Sequence, residues 1–362
     1  MNFTLYTDVQ TFYSALTGAL IQAERSITMM YFTFDYGDWA LKISDILQAK
    51  RASGVAVRLM VDEVGLLVDS PTNAIKNRLL MNQLTAAGVQ VILFRPQQQR
   101  TTHFNRLHFK LCAIDQTTAF IGGSNIGDEY LAMDDLNLHL DGAIGGSIKD
   151  LYDYLDHPNK DPGSPSMGFS KAPSLYLPSL RVGEMPLLLT LPGNRQDVRR
   201  ALLGVILDAK ESIYIRTWLF LPDREIVNAL LHQSERGCRV NILFSDRTRI
   251  SLIDAANYIT GHKLVKAGAR VWRYTPRFMH AKAVWNDQGQ VLFGSANLDS
   301  KALNSNYECS VLMQNHAIAD QLQTKFKADL SHSNAITPES WSAQRWTRKV
   351  FAYASFLVSG WL

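Results

Sequence analysis

One short pattern occurs twice in this chain of 362 residues, and any fold it adopts must present both copies. His108-Phe109-Lys110 is followed by Asp115, and His280-Ala281-Lys282 by Asp287 at the same spacing. After each Asp, a gap of six residues leads to a turn of small residues ending in Asn: Gly122-Gly123-Ser124-Asn125 and Gly294-Ser295-Ala296-Asn297. The repeat reaches upstream. Ala23-Glu24-Arg25-Ser26-Ile27 parallels Ala209-Lys210-Glu211-Ser212-Ile213, and Ala87-Gly88-Val89-Gln90-Val91 parallels Ala267-Gly268-Ala269-Arg270-Val271. A repeat this long, present twice, points to duplication rather than a solenoid.

Apolar periodicity predicts helices over 12–25 and 40–53 in the first copy and over 198–211 and 224–236 in the second. Gly54 and Gly237 stand where the second helix of each copy should stop. Runs rich in Val, Ile and Leu at 55–61 and 239–244 read as strands buried on both faces. Thr118–Gly122 and Gln290–Gly294 read as further strands. Alternating helices and strands imply an α/β fold of two pseudo-two-fold-related domains, each a mixed, mostly parallel sheet flanked by helices. The expected domains are 1–180 and 181–345. Their boundary falls in the stretch Asp156–Asn194, which holds seven prolines, and Leu187–Thr190 opens the second half.

A net charge of +4 does not by itself argue for nucleic acid, but its distribution is informative. No acid lies between Asp69 and Asp115 or between Asp254 and Asp287, whereas each interval carries six Lys and Arg residues. Both approaches to the His-x-Lys pairs are thus electropositive, which suits an anionic substrate; the plainer alternative is two solvated faces that lack acids. Cys112, Cys238 and Cys309 are three and widely spaced, against a disulfide framework or a cysteine zinc site. The start of the chain has no signal-peptide pattern, and no apolar run is long enough to span a bilayer. The tail 346–362 is apolar and aromatic, headed by Arg345, Arg348 and Lys349. It reads as an interfacial membrane helix, with a last helix docked on the core as the alternative.

Alternation along a strand points His108 and Lys110 to one face, and His280 and Lys282 likewise. Lys offers a point charge for phosphate oxygens, His a nucleophile or acid–base group near neutral pH. Asn125 and Asn297 supply further donors to phosphoryl oxygens. In-line displacement at phosphorus needs an attacking group on one side and a proton donor to the leaving oxygen on the other. Two such units meeting across an interface would provide both, with no metal or other cofactor. Metal ligation by the two His is disfavoured by the adjacent Lys charges and by the lack of an HExxH or Cys partner. Each His also needs an orienting carboxylate. Asp135 is the candidate in the first half, with Asp134 beside it, and Glu308 in the second. Asp115 and Asp287, though part of the repeated signature, are expected to hold loops or pair with cations.

These residues resemble the paired HKD signatures of the phospholipase D superfamily over nearly the whole chain, and by that resemblance His108, Lys110, Asp115, His280, Lys282 and Asp287 form the catalytic set. Asn105–Lys110, Phe120–Leu131, Pro276–Lys282 and Gly294–Asp299 are similar to the bacterial cardiolipin synthase branch. The resemblance implies a metal-free double displacement through a phosphatidyl-histidine. His108 would be the nucleophile and His280 the general acid, then base. It implies transfer between phosphatidylglycerol molecules at a bacterial membrane, attached peripherally through the tail in an otherwise cytoplasmic protein. Lys301-Ala302 replaces the usual Arg-Ser pair, the Tyr of the usual Thr-Pro-Tyr-Phe segment is replaced in Thr217–Phe220, and the two N-terminal membrane helices of many such synthases are missing. These departures leave the acceptor open. A phospholipid hydrolase is the alternative within the same chemistry. The modest charge and aromatic tail argue against a nucleic-acid phosphodiesterase, and complete catalytic sets argue against a non-catalytic scaffold. Oligomeric state is left open.

Overall fold

The computed structural model describes residues 3–95, 105–160, 185–192, 195–248 and 250–358. It divides into two compact units. Of the described residues, the first unit takes those up to 160 together with 191, 192, 195 and Asn306–Cys309; the second takes the rest. The expected boundary at 180/181 lies outside the described residues.

The first unit is built on strands β1 (Phe3–Tyr6), β2 (Ser26–Tyr31), β3 (Ala56–Asp62), β4 (Gln90–Phe94), β5 (Lys110–Ile114), β6 (Thr118–Gly122) and β7 (Asn137–Asp141). Its helices are α1 (Val9–Gln22), α2 (Asp38–Ala52), α3 (Gly65–Val68), α4 (Ala74–Ala86) and α5 (Ile144–Lys160). The strands form one sheet in the order β1-β7-β6-β5-β2-β3-β4. β2, β3 and β4 are parallel and joined by helical crossovers, whereas β5, β6 and β7 pair antiparallel.

The second sheet repeats this plan. It comprises β8 (Leu187–Leu191), β9 (Arg195–Gln196), β10 (Ser212–Thr217), β12 (Arg239–Ser245), β13 (Arg270–Tyr274), β14 (Lys282–Asn286), β15 (Gln290–Gly294), β17 (Glu308–Gln314) and β18 (Ser333–Ala335). β11 (Phe220–Leu221) and β16 (Leu298–Asp299) form a separate two-stranded ribbon. The helices are α6 (Asp197–Asp208), α7 (Arg224–Glu235), α8 (Ser251–Lys266), α9 (Ser300–Asn304), α10 (His316–Leu330), α11 (Pro338–Ser342) and α12 (Trp346–Val358). β10, β12 and β13 are parallel; β14 lies between β10 and β15 and runs antiparallel to both.

Local chemistry sets these boundaries. Asp8 caps α1 by accepting from the Thr11 N–H at 2.8 Å, so the helix starts ahead of the expected residue 12. Gly54 and Gly237 adopt φ of +93° and +87°, the left-handed stop that only glycine takes without strain. β5 and β14 are buried at every position, because helices and neighbouring strands cover both faces of each sheet.

Register positions the repeated motifs. Tyr31, the last residue of β2, faces Lys110; Thr217, the last of β10, faces Lys282. Strands β5 and β14 therefore begin at the lysines, and each His stands in the extended lead-in rather than on the strand as expected. That places both His beyond the carboxyl ends of their parallel strands, where open α/β sheets present ligand sites.

The described part of the tail docks on the second unit, as the alternative reading has it. α12 packs on α8, burying Ala352 and Ser355, with Lys263 Nζ 3.6 Å from the Phe356 ring centre. Trp346, Val350, Phe351 and Tyr353 remain exposed on the same helix. Among the described residues no helix is long and apolar enough to cross a membrane.

Candidate active site

His108 is held from three directions within the first unit. The preceding residue, Leu107, donates its N–H to the fully buried Asp62 at 2.8 Å. Leu107 also bridges to Tyr307, whose carbonyl accepts from the His108 N–H at 2.9 Å. The segment Asn306–Cys309 thus lies beside the motif and delivers Glu308. Nδ1 of His108 is 2.9 Å from Oε1 and 3.1 Å from Oε2 of that buried carboxylate. The Phe32 ring meets the imidazole edge-on, with 5.4 Å between centroids.

This corrects one pairing. Glu308 was expected to orient His280, and Asp135 to orient His108. Glu308 serves His108, because backbone pairing at Leu107–Tyr307 sets it against that ring. Asp135 is fully buried and accepts from the Ser124 hydroxyl at 3.1 Å and from the Leu136 N–H at 2.8 Å, so it braces the small-residue turn. A side chain at Gly123 would come within 2.1 Å of Asp135 Oδ1, which accounts for glycine there. Asp134 is equally buried.

The lysines behave alike in both units. Lys110 Nζ donates to the His108 carbonyl at 2.9 Å, and Lys282 Nζ donates to the His280 carbonyl. Both are buried, so their charges lie in a weakly screened setting that favours an anion. Asn125 accepts from the Thr33 N–H at 3.4 Å and donates to the Tyr130 hydroxyl at 2.6 Å. That hydroxyl in turn donates to Asp69 at 2.5 Å, and burial holds its pKa well above the ordinary tyrosine value. Asn297 accepts from the Trp218 indole N–H. In each unit the Asn carbonyl is occupied by the loop after the first parallel strand, so the amide group is the end suited to donate to a ligand.

His280 is buried between aromatic rings, with Trp218 at 6.0 Å and Phe278 at 5.7 Å between centroids. The preceding Met279 N–H donates to the Ser245 hydroxyl at 3.2 Å. Ser245 is thus the counterpart of Asp62, and Trp218 of Phe32. Composition and motif spacing missed all four residues. The signal was nevertheless in the repeat: Asp62 and Ser245 each fall eight residues after the glycine stop, and Phe32 and Trp218 five residues after the repeated Ile.

Asp115 and Asp287 sit at the far ends of β5 and β14, away from the His. Asp115 accepts from the N–H groups of Glu24, Arg25 and Ser26 at 2.7–2.8 Å. Asp287 accepts from Lys210, Glu211 and Ser212, each at 3.0 Å. Burial works against the charge of each, but these backbone donors outweigh it and hold both pKa values below the ordinary aspartate range. They clamp the turn into the first parallel strand, at the end of β5 and β14 opposite the His. The three cysteines are buried and form no disulfide among the described residues, and burial raises their thiol pKa values, so they act as small apolar residues.

Comparison with known proteins agrees with this doubled arrangement. The family described as "Cardiolipin synthase, PLD-like domain" matches residues 16–144 and again 202–330. A cardiolipin synthase of Alkalihalophilus pseudofirmus is 29% identical over 349 residues, spanning 91% of this chain and 66% of that protein. Cardiolipin synthase 1 of Staphylococcus epidermidis strain RP62A is 28% identical over 348 residues, spanning 92% of this chain and 68% of its own length. The chain thus spans about two thirds of the length of these relatives. Among solved structures, phosphatidylserine synthase of Haemophilus influenzae Rd KW20 superposes with a TM-score of 0.75 at 16% identity, covering 99% of this chain and 95% of that one, a likeness of fold. With the family matched in both halves, the chain belongs to the cardiolipin synthase, phospholipase D-like domain family.

Proposed function

We propose that the protein is a phosphatidyltransferase that joins two phosphatidylglycerol molecules through a phosphohistidine on His108. The observation that carries this reading is the Glu308 carboxylate against Nδ1 of His108. It fixes the tautomer with the proton on Nδ1 and makes Nε2 the nucleophilic atom. In the first step Nε2 attacks phosphorus, the bond from phosphorus to the glycerol oxygen breaks, and His280 gives its proton to the departing glycerol. In the second step His280 takes the proton from a hydroxyl of another phosphatidylglycerol, whose oxygen attacks phosphorus as the P–N bond breaks. Cardiolipin leaves, and both His return to their starting forms. Lys110, Lys282 and the amides of Asn125 and Asn297 neutralise the charge on the non-bridging oxygens.

The names of the relatives support a phospholipid substrate, and the chemistry requires no cofactor. Access to that substrate calls for work at a bacterial membrane surface, and the exposed aromatic face of α12 supports attachment there. Incubation with phosphatidylglycerol vesicles tests the reading. Cardiolipin and glycerol in equal amounts are expected; phosphatidic acid without cardiolipin would make the protein a hydrolase.

A further inference from the structure

A cavity of about 380 Å³ lies in the second unit, walled by α8, the segment after β12, and α11–α12. The His, Lys and Asn of the motifs are absent from its lining. Its size is within the range of small-molecule sites. Tyr258 and Trp341 stack at 5.7 Å to form an aromatic wall. Arg273 lies 5.0 Å from the Tyr258 ring centre and pairs with Asp246 at 2.5 Å, so those two charges offset each other. Asp254 is committed to the Thr248 N–H at 2.7 Å. Arg247 and Arg348 also line the cavity, and among the described residues neither enters an ion pair. Two guanidinium groups therefore face this space against the single carboxylate of Asp254.

The rim has the opposite character. Phe351 lines the cavity and is also 48% exposed, and Trp346, Val350 and Tyr353 continue an apolar face along α12. Positions 346, 350 and 353 are spaced so that they share one side of the helix. A polar, cation-bearing cavity opening beside an exposed apolar helix matches a molecule with an anionic head and apolar chains.

We propose that this cavity binds the phosphodiester headgroup of an anionic phospholipid through Arg247 and Arg348, while the acyl chains lie along α12. The site is separate from His280, although Ser245, which holds the residue before His280, immediately precedes the cavity residue Asp246. The inference rests on the phosphatidyltransferase reading for why lipid is at hand, not for the binding chemistry.

The test uses the intact chain and its Arg247→Ala/Arg348→Ala variant, with cosedimentation on phosphatidylglycerol–phosphatidylcholine vesicles and on pure phosphatidylcholine vesicles. Losing two interfacial cations is expected to weaken binding to the anionic vesicles about tenfold or more. Binding to neutral vesicles, and product formation from monomeric short-chain phosphatidylglycerol, should be unchanged. The control variant Arg345→Ala/Lys327→Ala removes two exposed cations outside the cavity and should cost under about threefold. Equal losses in the two variants would mean smeared charge rather than a site. Unchanged anionic-vesicle binding in the cavity variant would overturn the proposal, as would loss of turnover on the monomeric lipid. Soluble short-chain phosphatidylglycerol should displace the protein from vesicles at lower concentration than glycerol 3-phosphate; equal potency would assign the cavity to free phosphate esters instead. The vesicle and displacement outcomes read binding alone, so they can be told apart from a failure to make cardiolipin.

Discussion

Glu308 and His108 stand 200 residues apart in the chain and 2.9 Å apart in the fold. The carboxylate is wholly buried and the imidazole nearly so, which makes their interaction strong and sets the ring's orientation. Replacing Glu308 with Gln keeps the shape but removes the charge that stabilises an imidazolium. Turnover should fall by about 10²–10⁴-fold with KM changed little, by analogy with loss of the carboxylate in a Ser-His-Asp triad. Steady-state kinetics across pH checks this; an unaltered kcat would remove Glu308 from the account.

Asp115 and Asp287 carry the last letter of the repeated signature but accept from backbone N–H groups, joined at Asp287 by the side-chain amide of Gln288. Asp115→Ala should cost about 2 kcal/mol of stability, as expected for several hydrogen bonds to a partly exposed carboxylate. Activity per folded molecule should stay within about twofold of the parent. Denaturant melts beside kinetics on the folded fraction would show it. A folded variant without turnover would return Asp115 to the chemistry.

The same two carboxylates set an acid limit. Their folded-state pKa values are lowered, so the stability they add is complete above the unfolded value of roughly 4 and is lost as pH falls through the depressed folded values. The double variant Asp115→Asn/Asp287→Asn should therefore show a smaller fall in Tm between pH 5 and pH 3 than the parent. A parallel Tm–pH curve in the variant would contradict this.

Much of this was legible in the sequence. The doubling, the alternating elements, the glycine stops and strands Thr118–Gly122 and Gln290–Gly294 follow from local pattern, because 3.6-residue and two-residue periodicities and left-handed caps are short-range properties. The partner of His108 was not legible. Glu308 was assigned to the nearer half in the chain, whereas the Leu107–Tyr307 bridge carries it to the other motif, and such a pairing leaves no periodic signature. The roles of Asp62 and Ser245 were hidden for a related reason. Each acts through a backbone N–H rather than a side chain, and a residue's sequence context does not show which amide it will meet.

Asp62 tests that backbone anchoring. Burial raises its pKa, opposed by the nearby Arg106 and by the N–H groups of Leu107, Gly65 and Val64. Asp62→Ala strands several buried donors at once and should destabilise by about 3 kcal/mol while lowering kcat more than it raises KM. Ser245→Ala removes a single neutral hydrogen bond and should cost about 1 kcal/mol. Equal effects of the two substitutions would argue against the shared anchoring role.

The central claim is that His108 carries the phosphatidyl group. Rapid acid-free quenching of the enzyme with phosphatidylglycerol, followed by proteolysis and peptide mass mapping, tests it most directly. The account predicts a phosphatidyl adduct on the peptide containing His108, absent from His108→Ala and lengthened in lifetime in His280→Ala if any is formed. An adduct on the His280 peptide, or turnover in His108→Ala at the parent rate, would contradict it.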